Sequence, residues 1–280
     1  MGPHGAVELC AVGQMASIHS SPGRTKFGGD PEQYDLARPG YPAELFDWLR
    51  AQCELNAQSD CFEIGAGTGH ASLAVLATPV RYLLAVEPDA RLAEKLREKA
   101  AGDTRLTIEV ARFETAALPL SFFDFGFAAT SFHWLPRMKS LAKAKDALKP
   151  GRHFAAWWHV FHDAARPDAF DSATAHLFDG LEQDPEATSG RPAFAMDAAS
   201  RLGELRAAGF VDAEHRVFCE EIVFSPERLS ALYGTFSRVR MAPTETRARL
   251  LGDVERIARG AFGGAVRRVV VSSAYCARKP

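Results

Sequence analysis

What this chain has little of narrows the field first. Its five cysteines, Cys10, Cys53, Cys61, Cys219 and Cys276, are odd in number, widely spaced and free of any C-x-x-C pair. That usage argues against a disulfide framework or a zinc site, and predicts reduced thiols in a cytoplasmic protein. No apolar run approaches the roughly 20 residues that a membrane helix needs, so no membrane span is expected. Charge of one sign is scarce too. A net charge of −2 and a pI of about 6.5 give no general attraction to nucleic acid or to an anionic membrane. The first residues lack a basic region followed by a long apolar stretch, so no signal peptide is expected. What remains is ordinary for a globular protein: 47% hydrophobic and 24% charged residues. A chain of 280 residues is long enough for one large α/β domain, or one domain with an inserted cap.

One stretch organises the chain. The apolar run from Asp60 to Ile64 feeds a turn with glycine at every second position, Gly65-Ala66-Gly67-Thr68-Gly69, and an alanine-rich helical pattern follows from His70. Glycine there permits positive φ and lets a ligand approach the backbone with no Cβ in the way. The helix N-terminus beyond offers unpaired N–H groups. A second apolar run, Tyr82 to Val86, ends in Glu87 and then Pro88. Glu87 follows the turn by roughly 20 residues, the separation at which an acidic strand tip grips both hydroxyls of a ribose. A nucleoside-containing ligand is the leading expectation. Dinucleotide enzymes require G-x-G-x-x-G, and here His70 stands where the last glycine of that pattern belongs.

With Glu63 in front, the turn reads E-x-G-x-G-x-G, which resembles motif I of the class I S-adenosylmethionine-dependent methyltransferases. The string Ala129-Thr130-Ser131-Phe132-His133-Trp134-Leu135 and the segment Tyr34…Arg38-Pro39-Gly40-Tyr41-Pro42 resemble the type-11, small-molecule branch of that family. The resemblance implies a Rossmann-like α/β fold: a seven-stranded, mostly parallel sheet with helices on both faces and an inserted helical cap or lid. It implies S-adenosyl-L-methionine as cofactor, S-adenosyl-L-homocysteine as product and a small-molecule methyl acceptor. The Asn/Asp-Pro-Pro-Tyr/Phe motif of enzymes that methylate base amines or glutamine amides is absent at 130–134.

The family places its cofactor against residues that match Glu63, Gly65, Ala66, Gly67, Gly69, Glu87 and Pro88. It adds Ala111-Arg112-Phe113-Glu114 around the adenine and Thr130 and Ser131 at the methyl-donating end. Ala-Arg replaces the Gly-Asp or Ala-Thr common at 111–112, which weakens the adenine assignment for Arg112. Phe113 reads either as a face for the purine or as plain core. Tyr34 and Arg38 are expected at the methionine end, where a guanidinium suits a free carboxylate. The alternative for Arg38 is a surface residue paired with Asp35 or left in solvent. His133 is the one obvious titratable group of its stretch and the candidate general base, against a histidine that packs or merely lines the pocket. Phe132, Trp134, Trp158, His159, Tyr233 and Ser237 are candidates for the acceptor cavity, with core packing as the alternative for the tryptophans. Asp89 reads as a helix cap. His159, His162 and Asp163 lie close in sequence, but no further ligand cluster completes a set, and no metal is expected.

Residues 1–26 read as a flexible extension and 27–280 as a single domain. Within it, 27–160 is the cofactor-binding core, and 161–196 and 226–262 are cap or lid segments. Helices are expected from Pro42, over 136–148, 198–208, 226–239 and 244–261; a turn is expected at Lys149-Pro150-Gly151, and closing strands over 213–224 and 266–277. Two rival functions share parts of the pattern, a nicotinamide-dependent oxidoreductase and a non-catalytic nucleoside-binding protein. Monomer and homodimer are equally compatible with the sequence.

Overall fold

The computed structural model describes residues 31–161, 167–181 and 193–280. The expected extension at 1–26, and His162 and Asp163, therefore lie outside the described residues. Two helices precede the sheet, α1 (Pro31–Ala37) and α2 (Ala43–Gln52). The expected start at Pro42 holds to within a residue: Pro42 is extended at φ −62, ψ 143 and caps α2, whose Leu45, Trp48 and Leu49 are buried.

From there strand and helix alternate: β1 (Asp60–Ile64), α3 (His70–Leu76), β2 (Tyr82–Val86), α4 (Ala90–Ala100), β3 (Leu106–Glu109), β4 (Phe123–Ala129), α5 (Arg137–Ala147) and β5 (Leu148–Val160). After β5 come α6 (Ala169–Thr174), α7 (Ala198–Ala207) and β6 (Val211–Phe224). The last elements are α8 (Pro226–Gly234), α9 (Ser237–Met241), α10 (Thr244–Ala261) and β7 (Val266–Arg278). The seven strands form one sheet in the order β3-β2-β1-β4-β5-β7-β6. Pairings from β3 through β5 are parallel, and β7 is antiparallel to both β5 and β6. The order reverses beside β1, so the ends of β1 and β4 open onto a switch point.

Side chains alternate across the strands and build a core on each face. One face gathers Phe62, Ile64, Leu84, Phe123, Phe154, Trp158 and Tyr275 under α5 and α7. The other gathers Cys61, Leu83, Phe125, Phe127, Trp157 and Cys276 under α2 and α3. A third cluster, Phe170, Leu229, Leu232, Tyr233, Val239, Leu250 and Val254, joins α6, α8, α9 and α10, and Ala37 of α1 is buried within it. The first helix thus docks onto the layer in which the cap was expected.

Two local expectations need correction. Lys149-Pro150-Gly151 is not a turn between elements but an irregularity inside β5: Leu148 pairs with Phe123 and His153 with Phe125, so the register slips across it. Gly151, at φ +77, donates its N–H to Lys279 O at 2.9 Å. The expected helix over 226–239 is two. Thr235 closes α8, and Phe236 turns extended at φ −70, ψ 133 before α9 begins.

Candidate active site

The glycine turn leaves β1 with Gly65 at φ +70, Gly67 at φ +58 and Gly69 at φ +89. Two of these glycines answer to packing. A Cβ at Gly65 would stand 2.6 Å from Ser131 Cβ, and one at Gly69 2.3 Å from Leu96 Cδ1. Gly65 brings β1 against the loop after β4, whereas Gly69 lets α3 sit on α4. Ser131 Oγ donates to Ile64 O, closing the same contact.

Glu87 ends β2 opposite this turn, and its carboxylate is held by two backbone amides. Gly67 N–H donates to Oε2 at 2.8 Å and Asp89 N–H to Oε1 at 2.9 Å. Asp89 in turn caps α4, accepting from Arg91 N–H at 2.9 Å, as the sequence suggested. Behind the turn Glu63 is 1% exposed and accepts from Ser72 Oγ. Burial pushes its carboxyl up to about 8, with the charge of Glu87 adding to the rise against the Ser72 hydrogen bond. At neutral pH Glu63 is therefore mainly protonated.

A polar clamp fixes α1 over the turn. Asp35 Oδ1 accepts from Thr68 Oγ1 and Lys99 Nζ, both at 2.7 Å, and lies 2.8 Å from His70 Nε2. Burial pushes Asp35 up, but Lys99, Thr68 and His70 outweigh it and hold the carboxyl below its ordinary value. Arg38 is accordingly not the partner of Asp35. Its Nε donates to Thr235 Oγ1 at 2.9 Å, and its guanidinium carbon lies 5.5, 4.9 and 5.7 Å from the ring centroids of Tyr34, Phe161 and Phe236.

Beyond β4, Thr130 takes φ +52, an outlier for a β-branched residue, fixed by its N–H to Trp157 O at 2.7 Å. Its Oγ1 bonds Tyr41 OH at 2.8 Å, and the Tyr41 ring stacks on His159 at 4.3 Å. His159 Nε2 lies 3.2 Å from Gly40 O, and its Nδ1 3.1 Å from Ser272 Oγ. A carbonyl only accepts, so Nε2 carries the proton and Nδ1 accepts from the serine. His133 Nδ1 accepts from Trp158 Nε1 at 3.0 Å. Burial, then Arg38, lowers both histidines to about 3, with Arg137 adding to the effect at His133, so both are neutral near pH 7.

One cavity, with about 1300 Å³ of empty space counting its mouth, collects most of the expected residues. Tyr34, Arg38, Glu63, Gly65, Ala66, Gly67, Glu87, Pro88, Phe113, Thr130, Ser131, His133, Trp134, His159 and Ser237 all line it. Six do not. Gly69 works at the α3–α4 contact, and Arg112 and Glu114 are exposed outside the lining. Phe132 is 4% exposed and packs on Phe154 at 5.4 Å. Trp158 stands behind His133 rather than on the wall. Tyr233 is 2% exposed in the helical layer, its OH within 3.3 Å of Arg268 Nη1 and 3.4 Å of Thr174 Oγ1. At His133, the expected base, burial lowers the imidazole to about 3 and Nδ1 already accepts from Trp158, an arrangement that disfavours proton uptake at neutral pH. Tyr41, Thr68, His70, Leu92 and Leu135 line the cavity as well, and none was singled out as a ligand contact. Among the described residues no group of three or more His, Cys, Asp or Glu is placed to hold a metal ion. Nor is any described helix long and apolar enough to cross a membrane.

Residues 62–156 match a family model described as a methyltransferase domain, the segment that carries the glycine turn, Glu87 and the loop after β4. An uncharacterised methyltransferase of Schizosaccharomyces pombe is 24% identical over 237 residues, 84% of this chain and 87% of that protein. Among solved structures, a protein described as a type II methyltransferase from Anaeromyxobacter dehalogenans superposes with a TM-score of 0.60. It is 23% identical and covers 86% of this chain and 97% of its own. Phosphoethanolamine N-methyltransferase 2 of Haemonchus contortus, solved with S-adenosylhomocysteine and phosphomonomethylethanolamine, gives a TM-score of 0.56 at 15% identity, over 95% of this chain and 61% of that one. At these identities the superpositions speak for the fold, and the family match spans the turn, the acidic strand tip and the loop after β4. Residues 62–156 thus match a methyltransferase domain, and the chain as a whole is similar in sequence and in fold to methyltransferases.

Proposed function

We propose that this protein transfers a methyl group from S-adenosylmethionine to an O, N or C nucleophile of a small aromatic or apolar metabolite. One observation carries the reading: the Glu87 carboxylate, fixed by the amides of Gly67 and Asp89, stands on the wall of the cavity that the glycine turn lines. The residues present fit the cofactor. Gly65 and Gly67 offer backbone without side chains where a nucleoside must come close. A carboxylate has about four lone-pair positions, so holding two amides is compatible with gripping a pair of ribose hydroxyls.

When bound, S-adenosylmethionine supplies a methyl group whose bond to sulfur breaks, leaving the electron pair on sulfur, as the bond to the acceptor forms. The chain's own residues position and enclose. Arg38, steadied by Thr235 and three aromatic rings, suits the amino-acid carboxylate through two parallel hydrogen bonds. Phe113 and Pro88 give apolar faces for the purine, while His133, Trp134, His159 and Ser237 wall the acceptor. The strained Thr130 and the Tyr41 hydroxyl it binds set the floor between them. The clamp at Asp35 and the layer of α8, α9 and α10 serve as a lid that excludes water, which strengthens positioning and prevents hydrolysis.

The aromatic lining favours a flat or apolar acceptor. Retention of tritiated S-adenosylmethionine but not NAD, followed by label transfer to a member of an acceptor panel, tests the proposal. Binding of NAD in preference would restore the oxidoreductase reading. Cofactor retention with no labelled product from any acceptor would leave a nucleoside-binding protein.

A further inference from the structure

Trp158 lies on β5, 5% exposed, and its indole N–H donates to His133 Nδ1 at 3.0 Å. An indole nitrogen donates and does not accept, so Nδ1 must present its lone pair. A neutral imidazole carries one ring proton, and that proton is thereby placed on Nε2. Trp158 has little room to turn away. Phe194 meets it edge-on at 5.4 Å and Tyr275 at 6.1 Å, and Tyr275 OH is tied to Ala195 O at 2.7 Å. Phe194 is covered in turn by the Arg201 guanidinium at 3.7 Å.

We propose that Trp158 is a positioning residue that holds His133 as an Nε2–H donor, so that the methyl acceptor is recognised through an unshared electron pair and His133 takes no proton from it. The consequence rests on the methyl-transfer reading; the hydrogen bond itself does not. Arg38 after α1 and Arg137 on α5 both oppose a second proton on the ring, and the carboxylate nearby, Glu204 on α7, is taken up by Arg137 at 3.0 Å and by Arg201 at 2.8 Å. The site therefore favours an acceptor atom that arrives with its pair exposed, an ionised oxygen or an unprotonated nitrogen. The pair forms the bond to the methyl carbon, the carbon–sulfur pair stays on sulfur, and any proton left on the methylated atom departs to water.

The test reads the ring directly, in ¹⁵N-labelled protein with and without S-adenosylhomocysteine. His133 is assigned by difference from His133→Gln. The expected result is the two-bond ¹⁵N–¹H pattern of the Nε2–H tautomer from about pH 8 to about pH 5, with a scalar coupling between Trp158 Nε1 and His133 Nδ1. In Trp158→Phe the coupling is lost and the two ring shifts approach each other as the second tautomer appears. An Nδ1–H tautomer, an imidazolium above about pH 5, no coupling in the unaltered protein, or unchanged ring shifts in Trp158→Phe would overturn the proposal. If Trp158→Phe does not fold, the coupling and pH series of the unaltered protein decide alone. A protein that fails to bind S-adenosylmethionine still gives this spectrum, and a wrong tautomer leaves cofactor binding intact, so the two readings fail separately.

Discussion

Asp35 and His70 meet at 2.8 Å, joining the helix ahead of the sheet to the first residue of α3. His70 stands where a dinucleotide enzyme would have glycine, and here its ring lies against the carboxylate through which Thr68 and Lys99 hold α1 over the turn. With Thr68 and Lys99 on the same carboxylate, Asp35 pins α1 beside the cavity that Thr68 and His70 line. Asp35→Asn should weaken S-adenosylmethionine binding about tenfold, near 1.4 kcal/mol, with the sheet intact by circular dichroism. An unchanged dissociation constant would reduce the clamp to packing.

Glu63 sets an alkaline limit. Its carboxyl is raised by burial to about 8, so between the ordinary carboxylate range and that value the folded protein holds a proton that the unfolded chain has released. Stability contributed in this way is full at low pH and is lost as pH rises through about 8. Glu63→Gln should flatten the fall in urea midpoint between pH 6 and pH 8. A cationic cofactor beside Glu63 and Glu87 favours ionisation, so binding should release a proton. The buffer dependence of the calorimetric enthalpy, absent in Glu63→Gln, checks it.

On the acid side His133 and His159 act the other way. Both are held near 3 by burial, so below about 6.5 the unfolded chain takes up protons that the folded protein refuses. Each costs stability as pH falls from about 6.5 toward 3. Urea midpoints should drop across that interval, and His159→Gln should lessen the drop.

Donor and base roles at His133 part company in substitution. Glutamine can place an amide N–H near Nε2 but cannot take a proton. With an acceptor from the panel, His133→Gln should keep most of the turnover, while His133→Ala should lose about tenfold to a hundredfold, the cost of one hydrogen bond at the acceptor. Equal loss in both would return His133 to the role of base.

Much of this was legible from local pattern. β1, the glycine turn, α3 and Glu87 are contiguous or a fixed interval apart, and α10 has the bounds its 3.6-residue period gave. α1 was not, because Pro31–Ala37 buries little on its own and owes its place to Asp35 and to α8. The break in the helix over 226–239 was hidden for a similar reason: Thr235 meets Arg38 across 197 positions, a contact that no window reveals. Sequence reading placed His133 in the site but not its chemistry, since its partner Trp158 arrives only through the packing of β5. Arg112 and Glu114, drawn in by resemblance, follow a β3 that leaves them exposed.

The most direct trial of the whole account is isothermal titration of S-adenosylmethionine into the unaltered protein and into Glu87→Ala. The account predicts one site per chain, with affinity falling by about 1.5–3 kcal/mol when the carboxylate is removed. Absence of binding, or the same dissociation constant in both proteins, would contradict it.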